Sequence, residues 1–139
     1  MTADVLDTLV VQWLLSIELD AEPTGAAAGA TDYQSVIEIV GQPRRLLTLG
    51  LTRRAAATLA AQMTGLPPSA LRDDPSLYQD MANEAANVLA GNLWPTLSGA
   101  TGIGLPADRA TAAVHRELRR SYAIGEDVAV WVSLAEHVG

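Results

Sequence analysis

Tyr33-Gln34-Ser35-Val36-Ile37-Glu38-Ile39-Val40, then Gly41-Gln42-Pro43, then Arg44-Arg45-Leu46-Leu47-Thr48-Leu49-Gly50-Leu51, decides the architecture. Val36, Ile37, Ile39 and Val40 are β-branched and favour a strand. Gly41-Gln42-Pro43 supplies turn residues, and the apolar run from Arg44 to Leu51 supplies a second strand. The stretch is a hairpin. Thr52 follows it at once as an N-cap, its hydroxyl suited to accept the first free amides of a helix.

That helix is expected over residues 53–64. Ala56, Leu59, Ala60 and Met63 form its buried stripe, and Gly65 stops it. Pro67-Pro68 marks a connection. Asp74-Pro75 starts another helix, Asp as N-cap and Pro at the first helical position. Pro95 disfavours helical geometry at Trp94, so this helix ends near Leu93. Before the hairpin, Val5-Leu6, Leu9-Val10, Trp13-Leu14 and Ile17 recur at three and four residues, an amphipathic first helix. Residues 20–32 read as a loop. After Ser98, Gly99, Gly102 and Gly104 break up a short apolar piece ending at Leu105-Pro106. Val114, Arg116, Leu118 and Arg120 then alternate with His115, Glu117, Arg119 and Ser121. Gly125-Glu126-Asp127 turns, and Val128, Val130, Val132 and Leu134 make a period-2 stripe. This is a second hairpin, although residues 107–120 also have good helix propensity. The order helix, hairpin, two helices, strands gives an α+β class, a mainly antiparallel sheet with helices packed on one face.

Bulk properties bound the rest. At 139 residues the chain is expected to be one domain, residues 1–139, and 49% hydrophobic residues make it globular. There is no Cys, which excludes disulfides and thiolate chemistry and is compatible with the cytoplasm. No apolar run reaches the roughly 20 residues that span a bilayer. Asp4 and Asp7 replace the basic start of a secretory signal. A cytoplasmic location is therefore expected. The net charge of −7 speaks against a phosphate-backbone binder. Arg44-Arg45, Arg53-Arg54 and Arg119-Arg120 read as solvated faces.

The functional lead lies in the helix after Asp74. All three asparagines of the chain fall within Asp80-Met81-Ala82-Asn83-Glu84-Ala85-Ala86-Asn87-Val88-Leu89-Ala90-Gly91-Asn92-Leu93. Asn is a mediocre helix former. Glu84 and Asn87 are three residues apart, which places a carboxylate beside a carboxamide on one face. At 100° per residue, Leu77, Tyr78, Met81, Ala85, Val88 and Leu89 fall in an arc of about 120°, the expected core face. Glu84 is expected at the edge of that stripe, with Asn87, Asp80 and Gly91 beside it. Ala86, Ala90 and Gly91 are expected to keep the neighbouring surface low. Asn83 lies further round, with no role.

Glu84-Ala85-Ala86-Asn87, followed by Val88-Leu89-Ala90-Gly91-Asn92, resembles the signature helix of the CheX/CheC chemotaxis phosphatases: Glu-x-x-Asn, an apolar pair, a small residue and Gly-Asn. The hairpin entering Leu49-Gly50-Leu51-Thr52 and the helix Ala55–Met63 come in that family's order. One such helix in a chain this short is closer to CheX than to CheC. The stretch after Pro106 departs from the family's strand pattern. The resemblance implies a CheC-like fold and hydrolysis of the aspartyl phosphate on a CheY-like receiver domain. Asn87 would orient the attacking water and Glu84 would dock to a receiver lysine, with Asp80 contributing. Gly91 and Asn92 would be structural parts of the motif. The protein would need no cofactor of its own, since Mg²⁺ comes with the receiver. A homodimer is implied, with the stripe Val128–Leu134 able to pair at a sheet edge. The alternative is a non-catalytic CheC-like adaptor binding a receiver or a flagellar-switch protein.

Other candidates are weaker. His115 and His137 lack companions at ligand spacing. Gly99, Gly102 and Gly104 reverse the spacing of a dinucleotide fingerprint. Asp80 and Glu84 could pair for acid–base work, but a solvated acidic face explains them as well. Trp13, Trp94 and Trp131 read as core or interface anchors.

Overall fold

The computed structural model describes residues 1–25, 31–71, 74–106, 114–125 and 127–137. The hairpin forms as its pattern requires: β2 (Tyr33–Gly41) and β3 (Arg44–Leu51) pair antiparallel, with Ile37 opposite Leu47 and Ser35 opposite Leu49. β6 (Asp127–His137) lies on the other side of β3, and β5 (Val114–Ile124) on the other side of β6. β1 (Ala21–Thr24) and β4 (Ala100–Pro106) close the two edges, giving the antiparallel order β1-β5-β6-β3-β2-β4.

Alternation along each strand separates two faces. Ile37 and Ile39, Leu47, Leu49 and Leu51, Val130, Val132 and Leu134, and Tyr122 all point to one side. They share a core with α1 (Ala3–Ser16), α2 (Arg53–Thr64) and α4 (Pro75–Leu93). Trp131, Ser133, Ala135 and His137 occupy the opposite side of β6. There Trp131 lies directly over Gly50, where an added Cβ would sit 2.0 Å from the indole nitrogen. That close approach explains a glycine inside a central strand. The expected α+β class with helices on one face is what the chain adopts.

The helix signals hold. Thr52 Oγ1 accepts from the Ala55 amide at 3.2 Å, and Gly65 ends α2 in the left-handed conformation at φ 70°. Asp74 Oδ1 accepts from the Ser76 and Leu77 amides at 3.0 and 3.3 Å.

Three expectations change and one ambiguity is resolved. Residues 21–24 are a strand, not part of a loop; Pro23 lowers strand propensity but is tolerated because β1 is an edge. The Pro67-Pro68 connection holds one helical turn, α3 (Pro68–Leu71). Residues 114–120 are strand, which decides the helix-or-strand ambiguity there; residues 107–113 lie outside the described residues. The stripe Val128–Leu134 is not an edge. β6 is hydrogen-bonded on both sides, so it offers no free edge to a second copy.

The arginines are not simply solvated. Arg45 is 5% exposed; its guanidinium donates to the Ser98 carbonyl at 2.8 Å and lies 3.8 Å from Glu136. Arg44 pairs with Glu38 at 2.6 Å, and Arg119 stacks 4.1 Å over the Trp131 ring. A buried guanidinium with fixed acceptors is a structural group. Arg45 ties the start of β3 to the chain just beyond α4.

Candidate functional site

The helix α4 is held at its ends and along one flank. Asp74 caps its first turn. At the other end the Trp94 amide donates to Ala90, and the chain continues into a 3-10 turn, Trp94–Thr96. On the flank, the Gln79 amide nitrogen donates to the Gln34 carbonyl of β2 at 2.8 Å and to Asn83 Oδ1 at 3.1 Å. Tyr78 meets Tyr33 of β2 edge to face, centroids 5.8 Å apart. Asn83, which had no expected role, orients the Gln79 strap. A helix so mounted holds its outward side chains in a fixed frame.

Its buried residues are Tyr78, Ala82, Ala85, Ala86, Leu89, Ala90 and Leu93. Four of the seven are alanines, so the helix sits low on β2 and β3. The expected core face was therefore turned. Val88 is 38% exposed, Leu77 and Met81 are half-buried, and Ala82, Ala86 and Ala90 are fully buried. Side-chain size did not select the face; close contact with the sheet did. Ala86 and Ala90 consequently do not shape the outer surface, and of the three small residues only Gly91 remains there.

This rotation repositions the polar pair. At 100° per residue the buried arc spans about 140°, and the bearing opposite its centre falls between Glu84 and Asn87. Gly91 lies on that bearing and Asp80 close to it. Glu84 is thus not at the edge of the buried stripe: Asp80, Glu84 and Asn87 are all exposed on the helix crown. Among the described residues, no hydrogen bond or ion pair engages any of the three side chains. Asn92 is also exposed, on the flank beyond Val88.

A contrasting polar cluster lies between α1 and β5. Arg120 donates to both oxygens of Asp7 at 3.0 and 2.8 Å, and the Tyr122 hydroxyl donates to Asp7 Oδ1 at 2.8 Å. Burial alone would push the Asp7 carboxyl up. The hydrogen bonds from Arg120 and Tyr122, with the Arg120 charge, outweigh burial and hold it below the ordinary carboxylate value. Burial and the bond to Asp7 push the Tyr122 phenol far up. The Arg120 guanidinium is raised by its bond to Asp7. This cluster pins α1 to β5 and has its partners within the fold.

Asp80, Glu84 and Asn87 line none of the cavities among the described residues. A cavity of about 180 Å³ lies on the opposite side of the sheet, bordered by Thr48, Glu117, Ser133 and His137. Among the described residues no three His, Asp or Glu side chains converge as a metal site. His115 is exposed and His137 buried, both in strands, and Trp13 and Trp131 are buried. No described helix is long and apolar enough to cross a membrane. What the crown can offer is an acidic docking surface and one free carboxamide.

No known sequence family matches the chain, and no curated protein is similar to it in sequence. Solved structures are similar in fold. The chemotaxis protein CheX from Vibrio vulnificus superposes with a TM-score of 0.74 at 15% identity, over 96% of this chain and 94% of that one. CheX from Desulfovibrio desulfuricans gives 0.67 at 14% identity, over 96% and 98%. CheX from Borrelia burgdorferi, solved as a CheX–CheY–BeF3–Mg²⁺ complex, gives 0.65 at 17% identity, over 97% and 94%. The resemblance read from the helix motif thus holds at the level of the whole fold.

Proposed function

We propose that this protein accelerates hydrolysis of the aspartyl phosphate on a CheY-like receiver domain, with Asn87 orienting the attacking water and Glu84 docking to the receiver. One observation carries the reading. In the fold of CheX, Glu84 and Asn87 stand side by side on the crown of α4, exposed and without partners among the described residues. The Borrelia burgdorferi relative in fold, solved with CheY, supplies the class of partner.

Hydrolysis requires the oxygen of a water to approach phosphorus in line with the departing aspartyl oxygen. The new P–O bond forms as the aspartyl P–O bond breaks. Inorganic phosphate and a free carboxylate result, and the water's proton passes to the phosphate. Little covalent chemistry falls to the protein; positioning supplies the rate. A carboxamide has no pKa near neutrality, so Asn87 acts as an orienter and not as a base. Its carbonyl accepts from the water, and its NH₂ donates to the water or to a phosphoryl oxygen. Glu84, one turn back on the same face, pairs with an ammonium of the receiver and sets the register of docking. Asp80 adds charge of the same sign. Mg²⁺ belongs to the receiver in this reading and neutralises phosphoryl charge there.

The test is phosphate release from a panel of phosphorylated receivers, with and without the protein. Faster release from at least one receiver is expected. No acceleration with any would overturn the reading, and binding without release would select a non-catalytic adaptor.

A further inference from the structure

Gly91 is a glycine the fold does not explain. It lies inside α4, three residues from Trp94, where the helix has ordinary right-handed geometry. It is not a cap, since Trp94 ends the helix in the right-handed conformation. It does not admit a neighbouring element either: a Cβ built there has nothing within 4 Å. Gly50, by contrast, has the Trp131 ring on it. Glycine in a helix interior is destabilising relative to alanine. Nothing within the described molecule offsets that here.

Its place on the helix gives it meaning. Gly91 is four residues after Asn87 and seven after Glu84, on the same outward bearing. Helical side chains lean toward the N-terminus and cover the turn before their own Cα. A side chain at 91 would therefore lie over the turn that carries Asn87. Asn is short. Its carboxamide can reach a water inside another protein's pocket only if the helix backbone comes close to that pocket.

We infer that Gly91 is a contact residue whose missing side chain lets the phosphorylated receiver's active-site rim rest on the backbone of α4 beside Asn87. The occupant is a receiver of complementary, basic rim charge, because Asp80 and Glu84 lie on the same face, on the N-terminal side of the gap. Val88, exposed one turn beyond Glu84, offers that rim an apolar contact. The inference rests on the receiver-phosphatase reading and adds to it a steric requirement.

The experiment compares the parent protein with Gly91→Ala and Gly91→Leu. It measures thermal midpoint, binding to a beryllofluoride-loaded receiver, and phosphate release from the phosphorylated receiver. Both variants are expected to fold, with Gly91→Ala melting at or above the parent temperature because the site is open and Ala favours helix. Gly91→Leu is expected to weaken receiver binding about tenfold or more, mostly through faster dissociation, with Gly91→Ala between the two. A parent that neither binds nor dephosphorylates any receiver would remove the reading beneath this inference. An active parent with an equally active, equally tight Gly91→Leu would overturn the inference and leave that reading standing. A lowered melting temperature for Gly91→Ala would also overturn it, by showing the glycine to be structural.

Discussion

Two polar groupings of this protein use similar residues in opposite ways. Asp7 lies on α1, on its side toward β5, with its side chain 13% exposed and both oxygens engaged by Arg120 and Tyr122. Glu84 and Asn87 stand on the crown of α4, exposed and without partners among the described residues. A carboxylate whose partners are in the fold contributes to the fold. A carboxylate and a carboxamide held out on a fixed helix are available to another molecule. The proposed assignment of α4's crown as the functional site rests on this difference and not on a cavity.

The largest stability effect is expected at the first grouping. Asp7→Ala leaves the Tyr122 hydroxyl, on a fully buried residue, without its acceptor and Arg120 without its partner. A loss of about 1–3 kcal/mol is expected from the unsatisfied group, read as a shift in denaturant midpoint. Dephosphorylation by the folded fraction should be unchanged, since the cluster does not touch α4's crown. A stability-neutral Asp7→Ala would break the comparison.

The same cluster gives an acid dependence. Asp7 titrates lower in the folded protein than in the unfolded chain, so its contribution is fully present above the unfolded value of about 3.9. It is lost as pH falls through the lower folded value. Asp7→Ala should therefore flatten the stability profile below pH of about 4, and an unchanged profile would argue against this assignment.

Smaller effects are expected on the crown. Glu84→Ala should change stability by no more than about 0.5 kcal/mol, because the side chain is exposed and has no partner among the described residues. Its expected signature is a slower association with the receiver that converges with the parent as salt is raised. Equal association rates at low salt would remove Glu84 from docking.

Much of this was legible in the sequence where one local interaction decides the outcome. Thr52, Gly65 and Asp74-Pro75 each set a helix end through a bond or a backbone conformation of their own. The hairpin Tyr33–Leu51 was legible because alternation and turn agree. What was not legible depended on distant partners. Pro23 hid β1, because only its place at an edge makes a proline tolerable there. Nothing local in Val128–Leu134 tells a central strand from an edge. Arg45 resembled any surface arginine until the chain beyond α4 supplied its acceptor. In α4 the choice of face turned on alanines, whose small size suits a helix lying close to a sheet. Weighting large apolar residues put Val88 inside and Glu84 at a margin. The adjacency of Glu84 and Asn87 on one face was nonetheless legible, because Glu-x-x-Asn spacing fixes their mutual position whichever way the helix is turned.

The central claim is that the free carboxamide of Asn87 acts on a phosphoryl group brought by another protein. The most direct test is the lifetime of a receiver's aspartyl phosphate in the presence of the parent or of Asn87→Ala, with binding measured in parallel. The account expects the parent to shorten that lifetime and Asn87→Ala to lose about 100-fold of the acceleration, the scale of removing one preorganised polar group. Binding and thermal stability should be kept. Equal acceleration by the two proteins would contradict it.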